Sequence, residues 1–156
     1  LRVDVMAKLK GCGPFPALWR RRNLVAVPGT GIIPVISLED LVQSKKTQRD
    51  KDWLMLSRLV ENDIFANNGA GTAAKVRWWL MEARVPETLA RLCSDNPAQA
   101  RKAAARRPLL RAAVAGNLKR LSSLLRKEEA LERAKDLAYW APLKAELEQL
   151  RLSRER

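Results

Sequence analysis

Histidine is absent from this chain of 156 residues, and cysteine occurs only at Cys12 and Cys93. The usual His/Cys ligand sets for zinc cannot be assembled from that stock. Ser-His-Asp and Cys-His catalysis in their common forms are excluded for the same reason. Two distant cysteines make no disulfide framework, which favours a reducing, cytoplasmic location. Charges interrupt every apolar run well short of the ~18 residues of a membrane span, so no membrane partner is expected. The glycine stretches GCG and PGTG carry neither G-x-x-x-x-G-K-[ST] nor G-x-G-x-x-G, so phosphate loops of those types are excluded. No repeat of fixed period is present. Any chemistry must therefore run on carboxylates, lysine, arginine and bound metal.

Charge is the strongest feature that remains. Thirty Lys/Arg face 17 Asp/Glu, a net charge of +13, and 47% of residues are apolar. The apolar share excludes a wholly disordered chain, and the length suits about one ordinary domain with a real core. The basic excess points to anionic partners such as nucleotides, nucleic acid or an acidic protein. It is spread along the chain, +5 over residues 1–61 and +8 over 62–156. The chain opens on Leu1, so a fragment, a processed chain or an unusual start is expected.

The two halves follow different patterns, and the expected fold class is α+β. LRVDVMAKL reads as an opening strand with Asp4 between two valines, either a wet-faced edge strand or a carboxylate placed for metal. KGCGPFP is a turn, and PALWRRR a short helix with Pro16 in its first turn. NLVAV and GIIPVIS, joined by PGTG, read as a hairpin in which Pro34 implies an edge or a bulge. Ser37 with Asp40 fits a capping box for the helix SLEDLVQSKK. In TQRDKDWLMLSRLVENDI, residues Trp53, Leu56, Leu59 and Val60 recur at helical spacing. Residues 62–72 read as a linker loop, dividing a region 1–61 from a helical region 73–156. That region comprises short helices begun by proline or ended by glycine, then a long helix from Asn117. Pro142 is expected to kink or restart it. Leu137, Trp140, Leu143, Leu147 and Leu150 form a seam along it, and RLSRER is expected to fray.

Three basic clusters invite a binding role. Lys45, Lys46, Arg49 and Lys51 lie between two expected helices, where ammonium, guanidinium and free N–H groups suit a phosphate. A solvated helix junction is the plainer reading. Arg101, Lys102, Arg106 and Arg107 suit contacts with nucleic-acid phosphates, although the intervening alanines equally suit tight helix packing. The triplet Arg20–Arg21–Arg22 beside Trp19 reads as a solvated face covering core. Of Trp78 and Trp79, one should be buried and the other partly covered.

In order, RVDVM, WRRR, a hairpin, IPVISLEDLVQSKK and QRDKDWLMLSRL resemble the C-terminal part of the nucleotidyltransferase fold. The likeness is to minimal nucleotidyltransferases and AbiEii-type bacterial proteins, over residues 2–61. It implies that Asp4 is the third metal carboxylate and that Ser37–Leu41 begin the following helix. Lys45 would be the family lysine, with Arg49, Lys51 and Asp52 as its basic-acidic box. The family's G-S…D-x-D signature belongs upstream of the Asp4 strand and is not in this sequence. Asp50-Lys51-Asp52 falls at the wrong place to replace it. Transfer of a nucleoside monophosphate from a triphosphate needs two Mg²⁺ ions clamped by several carboxylates, and one aspartate cannot hold that pair. The expectation is thus a truncated nucleotidyltransferase-like region with an all-helical extension, inactive alone. Mg²⁺ and a nucleoside triphosphate would be ligands not required for folding. The alternatives are a basic nucleic-acid-binding module or an antitoxin-like protein that binds a protein partner.

Overall fold

A computed structural model describes residues 5, 6 and 8–154, and it divides the chain into two compact units, Leu1–Lys46 and Thr47–Arg156. The fold is α+β and mostly helical, as its pattern predicts. In the first unit, α1 (Phe15–Arg20) starts with Pro16 in its first turn, where a missing N–H costs nothing. Strands β1 (Asn23–Val27) and β2 (Gly31–Val35) pair antiparallel, Val27 opposite Gly31 and Leu24 opposite Pro34. The connecting turn needs φ +76° at Gly29 and +99° at Gly31, which side-chain-bearing residues rarely adopt. Among the described residues these two strands are the whole sheet, so both are edges and Pro34 removes no interior bond. Val5 and Met6 lie outside any strand.

Helix α2 (Leu38–Ser44) begins at Ser37, whose hydroxyl accepts from Asp40 N–H at 3.2 Å and donates to the Asp40 carboxylate at 2.7 Å. Arg21 grips the same carboxylate with Nε at 3.0 Å and Nη2 at 2.7 Å, fastening the end of α1 to the start of α2. Ser37 thus supplies the cap of the expected box and starts the helix, while the Asp40 carboxylate engages Ser37 Oγ and Arg21 instead of the Ser37 N–H. Arg22 lies over the Trp19 ring at 4.3 Å, but Trp19 is itself exposed and α1 buries no side chain, so this face covers no core. Val42 is the one buried apolar side chain among described residues 5–46.

The second unit holds the main core. Helix α3 (Asp50–Ala66) buries Trp53, Leu56, Val60 and Ile64 on one stripe. It continues past the expected start of the linker, so only residues 67–72 form a loop. The reason is visible in the stripe, since Ile64 extends it by one turn before Asn68 and Gly69 take positive φ and end the helix. The division after Lys46 likewise differs from the expected regions 1–61 and 73–156. Helix α4 (Ala73–Glu82) is capped by Thr72, and α5 (Pro86–Asp95) and α6 (Pro97–Ala103) carry proline in their first turns. Helix α7 (Leu110–Val114) precedes α8 (Leu118–Arg154), which runs unbroken through Pro142 and remains helical at residues 151–154. Trp79 is buried with its Nε1 donating to Asp63 at 2.7 Å, while Trp78 is half-covered. Leu89, Leu92, Ala100, Leu110, Leu121 and Leu125 complete the interior from α5 to α8.

Two polar clusters bind this unit together. Arg107, 2% exposed, donates to the Leu80 and Ala83 carbonyls at 2.9 and 3.0 Å. It also makes a two-pronged pair with Glu128, which Arg84 meets at 2.6 Å. At the other cluster, buried Asp136 accepts Gln48 N–H at 2.9 Å and Trp140 Nε1–H at 3.2 Å. Arg133 bonds Asp50 and the Gln48 carbonyl there, so α8 fixes the chain just ahead of α3.

Candidate nucleic-acid interface and the expected nucleotide site

The residues expected to hold a nucleotide are divided between the two units. Asp4 lies outside the described residues. Lys45, which follows α2 as its C-cap, and Lys46 close the first unit, both half-buried. Arg49 and Lys51 open the second. Arg49 directs its Nε to Asp52 at 2.7 Å, and Asp52 also accepts Thr47 Oγ1–H at 2.6 Å. Asp52 is thus a buried structural carboxylate that steadies the first turn of α3. Lys51 is exposed. Among the described residues no group of three His, Cys, Asp or Glu side chains could hold a metal ion.

The thiols offer no nucleophile at neutral pH. Burial, and then the Asp40 charge, push the Cys12 thiol up against the opposing pull of Arg21. Burial lifts Cys93 to about 11. Both therefore stay protonated, the unreactive form.

The set Arg101, Lys102, Arg106 and Arg107 separates sharply. The first three are exposed on or just after α6. Arg107, expected beside them as a nucleic-acid contact, is instead buried and is not a surface cation. Its guanidinium fills the carbonyl end of α4 and pairs with Glu128, so that Nε, Nη1 and Nη2 are all engaged within the unit.

Two arginines outside that set take a more favourable place. Gly116, at φ +66°, permits the tight turn from α7 to α8, and Asn117 Oδ1 caps α8 by accepting Arg120 N–H at 3.0 Å. The turn brings Arg111 and Arg120 to one cleft of about 420 Å³, floored by Leu109, Ala112 and Leu124. The first turn of α8 contains no acid, so nothing there offsets the positive end of the helix. The surrounding stretch is equally one-sided: residues 96–127 contain nine Lys/Arg and no Asp/Glu. That acid-free run is visible in the sequence, but the meeting of Arg111 with Arg120 depends on the turn at Gly116.

No helix of the described residues is long and apolar enough to cross a membrane. Comparison with protein-family models, curated proteins and solved structures returns no match.

Proposed function

We propose that the helical unit binds the phosphate backbone of nucleic acid through α6, α7 and the start of α8. The observation that supports this most is the cleft lined by Arg111 and Arg120 within a 32-residue stretch, 96–127, free of acidic side chains. Arginine suits phosphate because its planar fork makes paired hydrogen bonds and it sheds water more readily than lysine. Exposed Arg101, Lys102 and Arg106 extend the positive surface. Contacts of this kind position a polyanion without reading its bases, so affinity should depend little on sequence and steeply on salt.

Fluorescence anisotropy with a labelled oligonucleotide, repeated over a salt series, tests the reading. Replacing Arg111 and Arg120 together by alanine should weaken binding and flatten the salt slope by about one unit for each phosphate no longer neutralised. Unchanged affinity and slope in that variant would refute it.

A second reading is descent from the nucleotidyltransferase fold. Its support is the order of elements from α1 through the hairpin to the Ser37-capped helix α2. Magnesium-dependent calorimetric binding of a nucleoside triphosphate, lost in both Asp4→Asn and Lys45→Ala, would establish it. Absence of binding would remove it.

A further inference from the structure

The stripe of α8 that faces the bundle changes occupant along its length. Leu121, Leu125 and Asp136 are buried within the unit. Beyond Asp136 the same stripe continues as Trp140, Leu143, Leu147 and Leu150, and the three leucines are 43%, 56% and 53% exposed. A groove of about 310 Å³ beside Thr47, Gln48 and Arg49 marks where the chain's own cover gives way to the bare seam.

The spacing of that seam alternates three and four residues, the repeat that lets two helices interlock side chains along a shared line. With Trp140 and Leu147 at one core position and Leu143 and Leu150 at the other, the flanking positions follow directly. Glu146 and Lys144 border the seam on opposite sides, and Arg151 lies on the Lys144 side one heptad later. Pro142 falls on the outer surface, clear of the contact line. In a parallel pair Glu146 of one helix meets Arg151 of the other, twice by symmetry. In an antiparallel pair Lys144 and Arg151 meet their own kind across the seam. Within one chain Arg151 pairs with Glu148 at 2.9 Å, with side chains 67% and 57% exposed, an ion pair easily exchanged. The segment 137–154 is also close to neutral, with three Lys/Arg against two Glu in a chain of net charge +13. Like-charge repulsion between copies is therefore weakest at this end of α8.

We propose that residues 137–154 pair with the same segment of a second copy of this chain as a parallel two-stranded coiled coil. The segment spans roughly 27 Å at 1.5 Å per residue, or about two and a half heptads. So short a seam should give a dimer that dissociates on dilution.

Sedimentation equilibrium of the full chain across a wide concentration range reads the association directly. A monomer–dimer equilibrium is expected, and Leu143→Lys with Leu147→Lys should weaken it by about 100-fold or more while circular dichroism stays unchanged. Glu146→Arg alone should weaken association about tenfold, and adding Arg151→Glu should restore it. In Leu150→Cys, mild oxidation should yield a peptide linking position 150 to position 150, as parallel register requires. A chain that stays monomeric at several hundred micromolar overturns the proposal. So does a dimer indifferent to the lysine substitutions, one whose charge swap fails to restore association, or one without the 150–150 link. A foreign protein bound to the seam in place of a second copy overturns it too.

Discussion

Replacing Arg107 by methionine separates a structural arginine from a nucleic-acid contact. Methionine keeps most of the buried length of the side chain but supplies no donor. The Leu80 and Ala83 carbonyls then lose their charged partner, and Glu128 loses a two-pronged one. Breaking a buried ion pair from one side costs about 3–5 kcal/mol. Two features place this case at the low end. Glu128 is 27% exposed and still meets Arg84. Burial and the adjacent Arg107 charge both hold the Arg84 pKa below its ordinary value, so removing Arg107 relieves one unfavourable interaction. The expected loss is about 3 kcal/mol, a fall in melting temperature of roughly 12 °C for a unit of this size. Urea and thermal unfolding of Arg107→Met, Glu128→Gln and the double variant measure it, and the cycle should return a coupling of about 1–2 kcal/mol. Salt-dependent binding of the oligonucleotide below the transition should not change. A variant of unaltered stability with weakened nucleic-acid binding would refute the inward assignment of Arg107.

Ser37→Ala should cost about 1 kcal/mol, because it removes both the α2 cap and a donor to Asp40; chemical denaturation followed at the first unit measures it. Arg21, and then Ser37, hold the Asp40 carboxyl below its ordinary value, opposed by burial. The unfolded chain therefore takes up that proton first, so the stabilisation is complete above about pH 4 and declines as pH falls through the lower folded value. Acid titration of Asp40→Asn by NMR should show that component missing, and an unchanged acid limb would contradict the assignment. Gly116→Ala should destabilise the second unit by about 1 kcal/mol through its positive φ alone, since no atom lies within 4 Å of the added methyl, and thermal unfolding reads it directly. At neutral pH both thiols should react slowly with a disulfide reagent, Cys93 far more slowly than Cys12, and fast labelling of Cys93 would contradict its burial.

Proline and glycine make much of the first unit legible, because Pro16 fixes its own φ while Gly29 and Gly31 reach the positive φ of a turn that other residues rarely adopt. Ser37 and Asp40 announced a helix start through local spacing, and Trp53, Leu56 and Val60 announced α3 through period. Arg107 shows where such reading stops. It lies in the turn between α6 and α7, where no helical period orients a side chain, and its partner Glu128 is 21 residues away on α8. Asp136 likewise has a distant partner, Gln48, at a separation of 88. Proline suggested a break at Pro142, yet α8 continues through it. The basic clusters were visible as composition, whereas their division into exposed Arg101 and buried Arg107 required tertiary packing.

The bond from Gln48 N–H to Asp136 spans 88 residues of chain, and Arg133 reinforces it on the Gln48 carbonyl. During synthesis, α3 emerges long before the carboxylate that fixes its leading end exists. At about 5–20 residues per second that interval lasts roughly 4–18 s, longer than helices and loops take to form. For that time the growing polypeptide must hold Trp53 and Asp52 in a half-made setting. A nascent chain stopped short of Asp136 would therefore carry its first long helix without the latch that fixes its leading end.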